Sequence, residues 1–130
     1  MIDHIGISVS DFVAACAFYD TALAPIGASC LAIIPVEHTG GVNVAGYGQD
    51  RPTFWIGEDG VQTPPLHVAF TAATRAQVDM FYTSALDAGG TDNGAPGLRP
   101  QYHEHYYGAF VRDPDGNNIE MVCHAPPDIT

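Results

Sequence analysis

A chain of 130 residues with 15 acidic side chains, four arginines and no lysine carries a formal net charge of −11. That balance repels phosphate backbones, so it excludes nucleic acid as a partner, and the absence of lysine excludes Schiff-base chemistry. No apolar run approaches the roughly 20 residues needed to span a bilayer, so no membrane partner is expected. The opening MIDHIGISVSD has neither a basic stretch nor a long apolar stretch of the kind that directs secretion. Cys16, Cys30 and Cys123 are odd in number and widely spaced. They read as buried free thiols in a reducing compartment, which makes a cytoplasmic location the expectation.

In chain order the first element is a strand in which Ile5, Ile7 and Val9 alternate with Gly6 and Ser8. A helix follows, capped by Ser10 or Asp11, with Phe12, Cys16, Tyr19 and Leu23 at helical spacing and Pro25 as its stop. Three short β-like runs come next: Ser29–Val36, Val42–Tyr47 and Thr53–Gly57. A second strand alternates Leu66, Val68 and Phe70 with His67 and Ala69. Thr74 with Gln77 three residues on forms a capping box for a second helix, which Gly89 or Gly90 closes. The remainder holds a weak strand near Thr91, a Gly/Pro-rich stretch over Asp92–Pro100 that reads as a mobile loop, and two strands at Tyr107–Arg112 and Asn118–His124. The turn Asp113-Pro114-Asp115-Gly116 joins the last two.

The two halves repeat. At an offset of 63 residues and without a gap, His4 falls on His67, Ala17-Phe18-Tyr19 on Met80-Phe81-Tyr82, Ala22-Leu23 on Ala85-Leu86, and Gly27 on Gly90. The fold class is therefore α+β, a single domain over residues 1–130 made of two tandem βαβββ modules, 1–60 and 61–130.

Strand parity assigns the faces. If Ile5, Ile7 and Val9 lie under the first helix, His4, Gly6 and Ser8 point the other way. If Leu66, Val68 and Phe70 lie under the second, His67, Ala69 and Thr71 point away. On the last strand Ile119 and Met121 go inward and Glu120 outward. Two histidines and a carboxylate aimed into one concavity suit a divalent metal such as Fe, Mn, Ni or Zn. The small side chains beside them, Ser8 and Thr71 among them, leave room for a substrate pocket. The cluster Tyr102-His103-Glu104-His105-Tyr106-Tyr107 fits no zinc-finger or metalloprotease spacing, and reads either as a plain polar loop or, alternatively, as one from which a ring closes over the substrate.

The stretches DHIGISVSD, AFYDTAL, LHVAF and DPDGNNIEMV resemble the vicinal oxygen chelate superfamily, which includes glyoxalase I, extradiol dioxygenases and the fosfomycin- and bleomycin-resistance proteins. The resemblance covers essentially the whole chain. It implies an eight-stranded, incompletely closed barrel-like sheet with helices outside, a homodimer, and one divalent metal held by His4, His67 and Glu120. It also implies a small-molecule substrate that chelates through vicinal oxygens. Glyoxalase I resembles this pattern but adds a glutamate on the last strand of the first module. Trp55 takes that place here, lines the pocket and disfavours ordinary glyoxalase chemistry. Dioxygenases use a histidine and a tyrosine near their iron, for which His105, Tyr106 and Tyr107 are the candidates. The alternative is a bleomycin-resistance-like protein that sequesters a small molecule and catalyses nothing. Fosfomycin-type chemistry needs cations, and neither Arg99 nor Arg112 is clearly aimed inward from the sequence alone.

Overall fold

The computed structural model describes residues 1–127 as β1 (Ile5–Ser8), α1 (Phe12–Ala22), β2 (Ser29–Ile34), β3 (Val44–Gly48), β4 (Phe54–Gly57), β5 (His67–Thr71), α2 (Arg75–Asp87), β6 (Thr91–Leu98), β7 (Tyr107–Arg112) and β8 (Asn118–Cys123). The last three residues of the expected second module, 128–130, lie outside the described residues. Both βαβββ modules are present. The eight strands divide into two unclosed four-stranded sheets, ordered β1-β4-β3-β2 and β5-β8-β7-β6. In each sheet the first strand pairs parallel with the last strand of its module, and the other ladders are antiparallel.

Local chemistry sets the boundaries. Asp11, rather than Ser10, caps α1 by accepting from Ala14 N–H at 3.0 Å. Glu58 accepts a further free N–H from Phe12 at 2.5 Å. Thr74 and Gln77 form the expected reciprocal capping box. The first-module run at Ser29 ends at Ile34 because Pro35 leads into a 3₁₀ turn over Val36–His38. The Gly/Pro-rich stretch is a strand and not a loop: β6 pairs with β7 from Thr91↔Arg112 to Leu98↔Tyr107, with register shifts around Gly94 and Gly97. Its glycines and proline hide an edge strand, where interrupted pairing is tolerated. Cys30 lies exposed on β2, against expectation, while Cys16 is half-buried and Cys123 buried; all three are free thiols.

One core serves both modules. Helices α1 and α2 pack on each other. Phe18 and Tyr19 of α1 are fully buried, and Tyr19 reaches into the second module to donate to Asp113 at 2.6 Å. Phe54 of β4 meets Phe70 of β5 edge to face at 5.2 Å between centroids. Gly90 sits at the junction, where a Cβ would lie 2.4 Å from Val111 Cγ1 and 2.8 Å from both the Ala85 carbonyl oxygen and Phe18 Cε1. Gly90→Ala is therefore expected to cost about 2 kcal/mol by overpacking, read as a lower urea midpoint at unchanged slope.

With the helices and apolar faces turned inward, the opposite face of each sheet is left for function. On the second sheet that face runs across the strands as Ala69, Glu120, Phe110 and Gly94, which are register partners in sequence. Among the described residues no helix is long and apolar enough to cross a membrane.

Candidate functional site

Glu120 is the unusual residue of the outer face. It is 1% exposed, although it lies on a face without helix cover. Its neighbours enclose it: His67 Nε2 lies 2.7 Å from Oε1, and the Tyr106 hydroxyl donates to Oε2. His67, just one pleat along on the adjacent strand, keeps over half its side chain open to solvent. Phe110 stands next to it, with ring centroids 6.2 Å apart. Gly108 completes the enclosure, since a Cβ there would stand 3.3 Å from the Tyr106 ring and 3.4 Å from Glu120 Oε2. Burial first, and then the hydrogen bond to the carboxylate, push the Tyr106 phenol well above its ordinary range. It stays protonated at neutral pH and donates to Glu120.

The other sequence candidates are distributed over the molecule. His4 lies on the first sheet, exposed, with Nδ1 2.6 Å from Asp3 Oδ2; Arg51 holds the other Asp3 oxygen at 3.2 Å. The His4 hydrogen bond, and then the Arg51 charge, lower the Asp3 carboxyl below its usual range. A carboxylate on Nδ1 fixes the ring and leaves Nε2 free, which is how metal-binding histidines are commonly oriented. A cleft lined by His4, Gly6, Val44, Pro52 and Trp55 opens beside it. The Trp55 ring lies across Gly46, where a Cβ would come within 2.8 Å of it. Ser8 lines the same face farther along.

Thus His67 and Glu120 come together, and His4 does not join them: among the described residues no group of three or more His, Cys, Asp or Glu side chains converges as a metal site. Thr71, expected in the pocket with Ser8 and Trp55, instead borders a separate cavity between the modules with Leu23, Tyr47 and Phe70. Of the three catalytic candidates only Tyr106 reaches the site. Tyr107, its neighbour on the strand, points the opposite way, bonding Asp79 of α2 at 2.6 Å with the Arg75 guanidinium over its ring. His105 stands 3.9 Å from Glu104 and makes no bond to His67 or Glu120. His103 and His124 pair at 2.7 Å and flank the Tyr106 ring. Phe110 was missed, and Arg99 was named without a place. Phe110 could have been found, because its parity through the register of the final hairpin matches Glu120; the place of Arg99 could not, because the strand it follows was read as a loop.

Two sheets of equivalent order, β1-β4-β3-β2 and β5-β8-β7-β6, with His4 just before one edge strand, His67 at the start of the other and Glu120 on the strand beside it, define a paired βαβββ protein with metal-type donors. The model of the glyoxalase/bleomycin resistance protein/dioxygenase superfamily matches residues 1–121, and the chain belongs to that superfamily. A glyoxalase/bleomycin resistance protein from Albidiferax ferrireducens is similar at 28% identity and TM-score 0.74, covering 95% of this chain and 97% of its own. A glyoxalase-related enzyme from Fulvimarina pelagi has the same fold at 16% identity and TM-score 0.68, covering 95% and 87%. Glyoxalase I from Zea mays shares it at 20% identity and TM-score 0.69, over 94% of this chain and 45% of that one. No curated protein matches.

Proposed function

We propose that the protein is a metal-dependent enzyme acting on a small substrate that chelates through vicinal oxygens, and that two copies build each site. The carrying observation is the His67–Glu120 pair, 2.7 Å apart on adjacent strands, with the repeat-equivalent His4 on the other sheet. An imidazole and a carboxylate are the right donors for a divalent ion, but two are too few for the three-ligand set common at catalytic centres. A twofold arrangement that sets the first sheet of one chain against the second sheet of its partner supplies the third, and makes two equal clefts. Each cleft then holds His67 and Glu120 from one copy and His4 and Trp55 from the other.

A bound divalent ion would supply Lewis-acid polarisation of the substrate oxygens. The chain's own contributions are separate. Asp3 orients His4, and Tyr106 holds Glu120 in place and keeps a proton at its hydroxyl beside the cleft. The Trp55 ring walls the cleft and can abstract no proton. That last feature is also what favours the second reading, a binding protein that sequesters its ligand without turnover.

Metal content by plasma mass spectrometry, on protein purified without chelator, tests the proposal. About one ion per chain is expected. Glu120→Gln should lose most of it while keeping its far-ultraviolet circular dichroism. Protein that takes up no Fe(II), Mn(II), Ni(II) or Zn(II) under anaerobic reconstitution would sink the enzyme reading and leave the binding protein.

A further inference from the structure

Arg99 follows β6 and turns its side chain back over the outer face of the second sheet. Its guanidinium carbon stands 5.4 Å from the centroid of Phe110, the residue beside Glu120 in the register. Nη1 donates to the Gly97 carbonyl and Nη2 to the Ala95 carbonyl, both at 2.9 Å. The irregular part of β6 makes room for it. A Cβ on Gly94 would stand 3.3 Å from Nη2 and 3.0 Å from Phe110 Cδ2, and one on Gly97 would stand 3.3 Å from Nη1. Gly94 has φ +147°, a conformation few other residues adopt. Two glycines, two carbonyls and an aromatic face thus fix one cation beside the His67–Glu120 pair. Nη1 also reaches the Leu98 carbonyl at 3.5 Å, and no salt bridge neutralises the group among the described residues, in a chain with 15 carboxylates.

We infer that Arg99 is the anion-recognising residue of this site and that its substrate carries a carboxylate in addition to its chelating oxygens. The inference rests on the reading of His67 and Glu120 as the chelating centre. Strands lie about 4.8 Å apart, so two strand spacings put the guanidinium about 10 Å across the sheet from Glu120. A single ring or short chain, chelating at one end and bearing a carboxylate at the other, fills that span. The planar guanidinium matches a carboxylate in shape as well as charge. One such group in so acidic a chain suits a monoanion better than a dianion.

The test uses two probes that differ only in this group, catechol and 3,4-dihydroxybenzoate, titrated calorimetrically into Zn(II)-supplemented protein at low salt. Wild type should bind the acid about tenfold more tightly than catechol, and the ratio should fall to about one in Arg99→Gln and lie between in Arg99→Lys. Where the Gln variant fails to fold, the Lys variant carries the comparison. Equal affinities in wild type, or a preference that survives Arg99→Gln, overturn the role of Arg99 and leave the chelating site standing. If neither probe binds, or if Glu120→Gln leaves both affinities untouched, the chelating site itself falls and the role of Arg99 falls with it.

Discussion

Mixing His4→Ala chains with Glu120→Gln chains, unfolded and refolded together, is expected to restore metal binding that neither variant has alone. Each variant by itself lacks one donor in both clefts of its dimer. In a mixed pair one cleft collects both changes and the other collects neither. Random pairing makes half the dimers mixed, so recovery should reach about a quarter of the wild-type metal per chain. No single-chain arrangement produces that recovery, because a ligand missing from a chain stays missing whatever lies beside it. The result is read by mass spectrometry on the dimer fraction. A mixture as empty as its components, or a wild type that stays monomeric at all concentrations, would refute the shared site.

Asp113→Ala should be the most damaging of the simple truncations away from the site. The carboxylate is 4% exposed and accepts from the Tyr19 hydroxyl at 2.6 Å and the Asn117 side-chain amide at 2.9 Å. It also accepts the backbone N–H groups of Asp115 at 3.0 Å and Asn117 at 2.9 Å. Asn117, itself fully buried, passes the connection on by accepting from Leu66 N–H at the entrance to β5. Removing Asp113 leaves a buried phenol and a buried amide without partners, a loss of about 3 kcal/mol. For a domain held by about 5–15 kcal/mol in all, that is a large fraction. Asp115→Ala removes only the surface contact with Ser10 and should cost under about 1 kcal/mol. Urea unfolding of the two variants side by side checks the contrast.

The repeat was the most legible part of the chain, because burial under a helix imposes the same alternation on Ile7 and Val9 as on Val68 and Ile119. Parity placed Glu120 and His67 on one face, and the Asp-Pro-Asp-Gly turn and the Thr74 capping box formed as written. Parity fixes a face within one sheet and nothing between sheets. That is why His4 shares an orientation with His67 and yet lies on a different surface. Thr71 went astray for a related reason, since the end of β5 borders the gap between modules. Edge strand β6 was legible only at its start near Thr91, because the composition that follows, Gly94, Pro96 and Gly97, is that of a loop. The same blind spot left the direction of Arg99 unread, because its place depends on those glycines.

The hydrogen bond from Tyr19 to Asp113 crosses from the first module to the second, and Phe18 crosses with it toward Gly90 and Val111. Two modules that repeat in sequence could each have kept a separate interior. That independence is absent here. The helix of the first half completes the interior of the second, so the halves share one core. Changes can still accumulate separately on the two outward faces, and Trp55 set against Glu120 shows how far they have diverged.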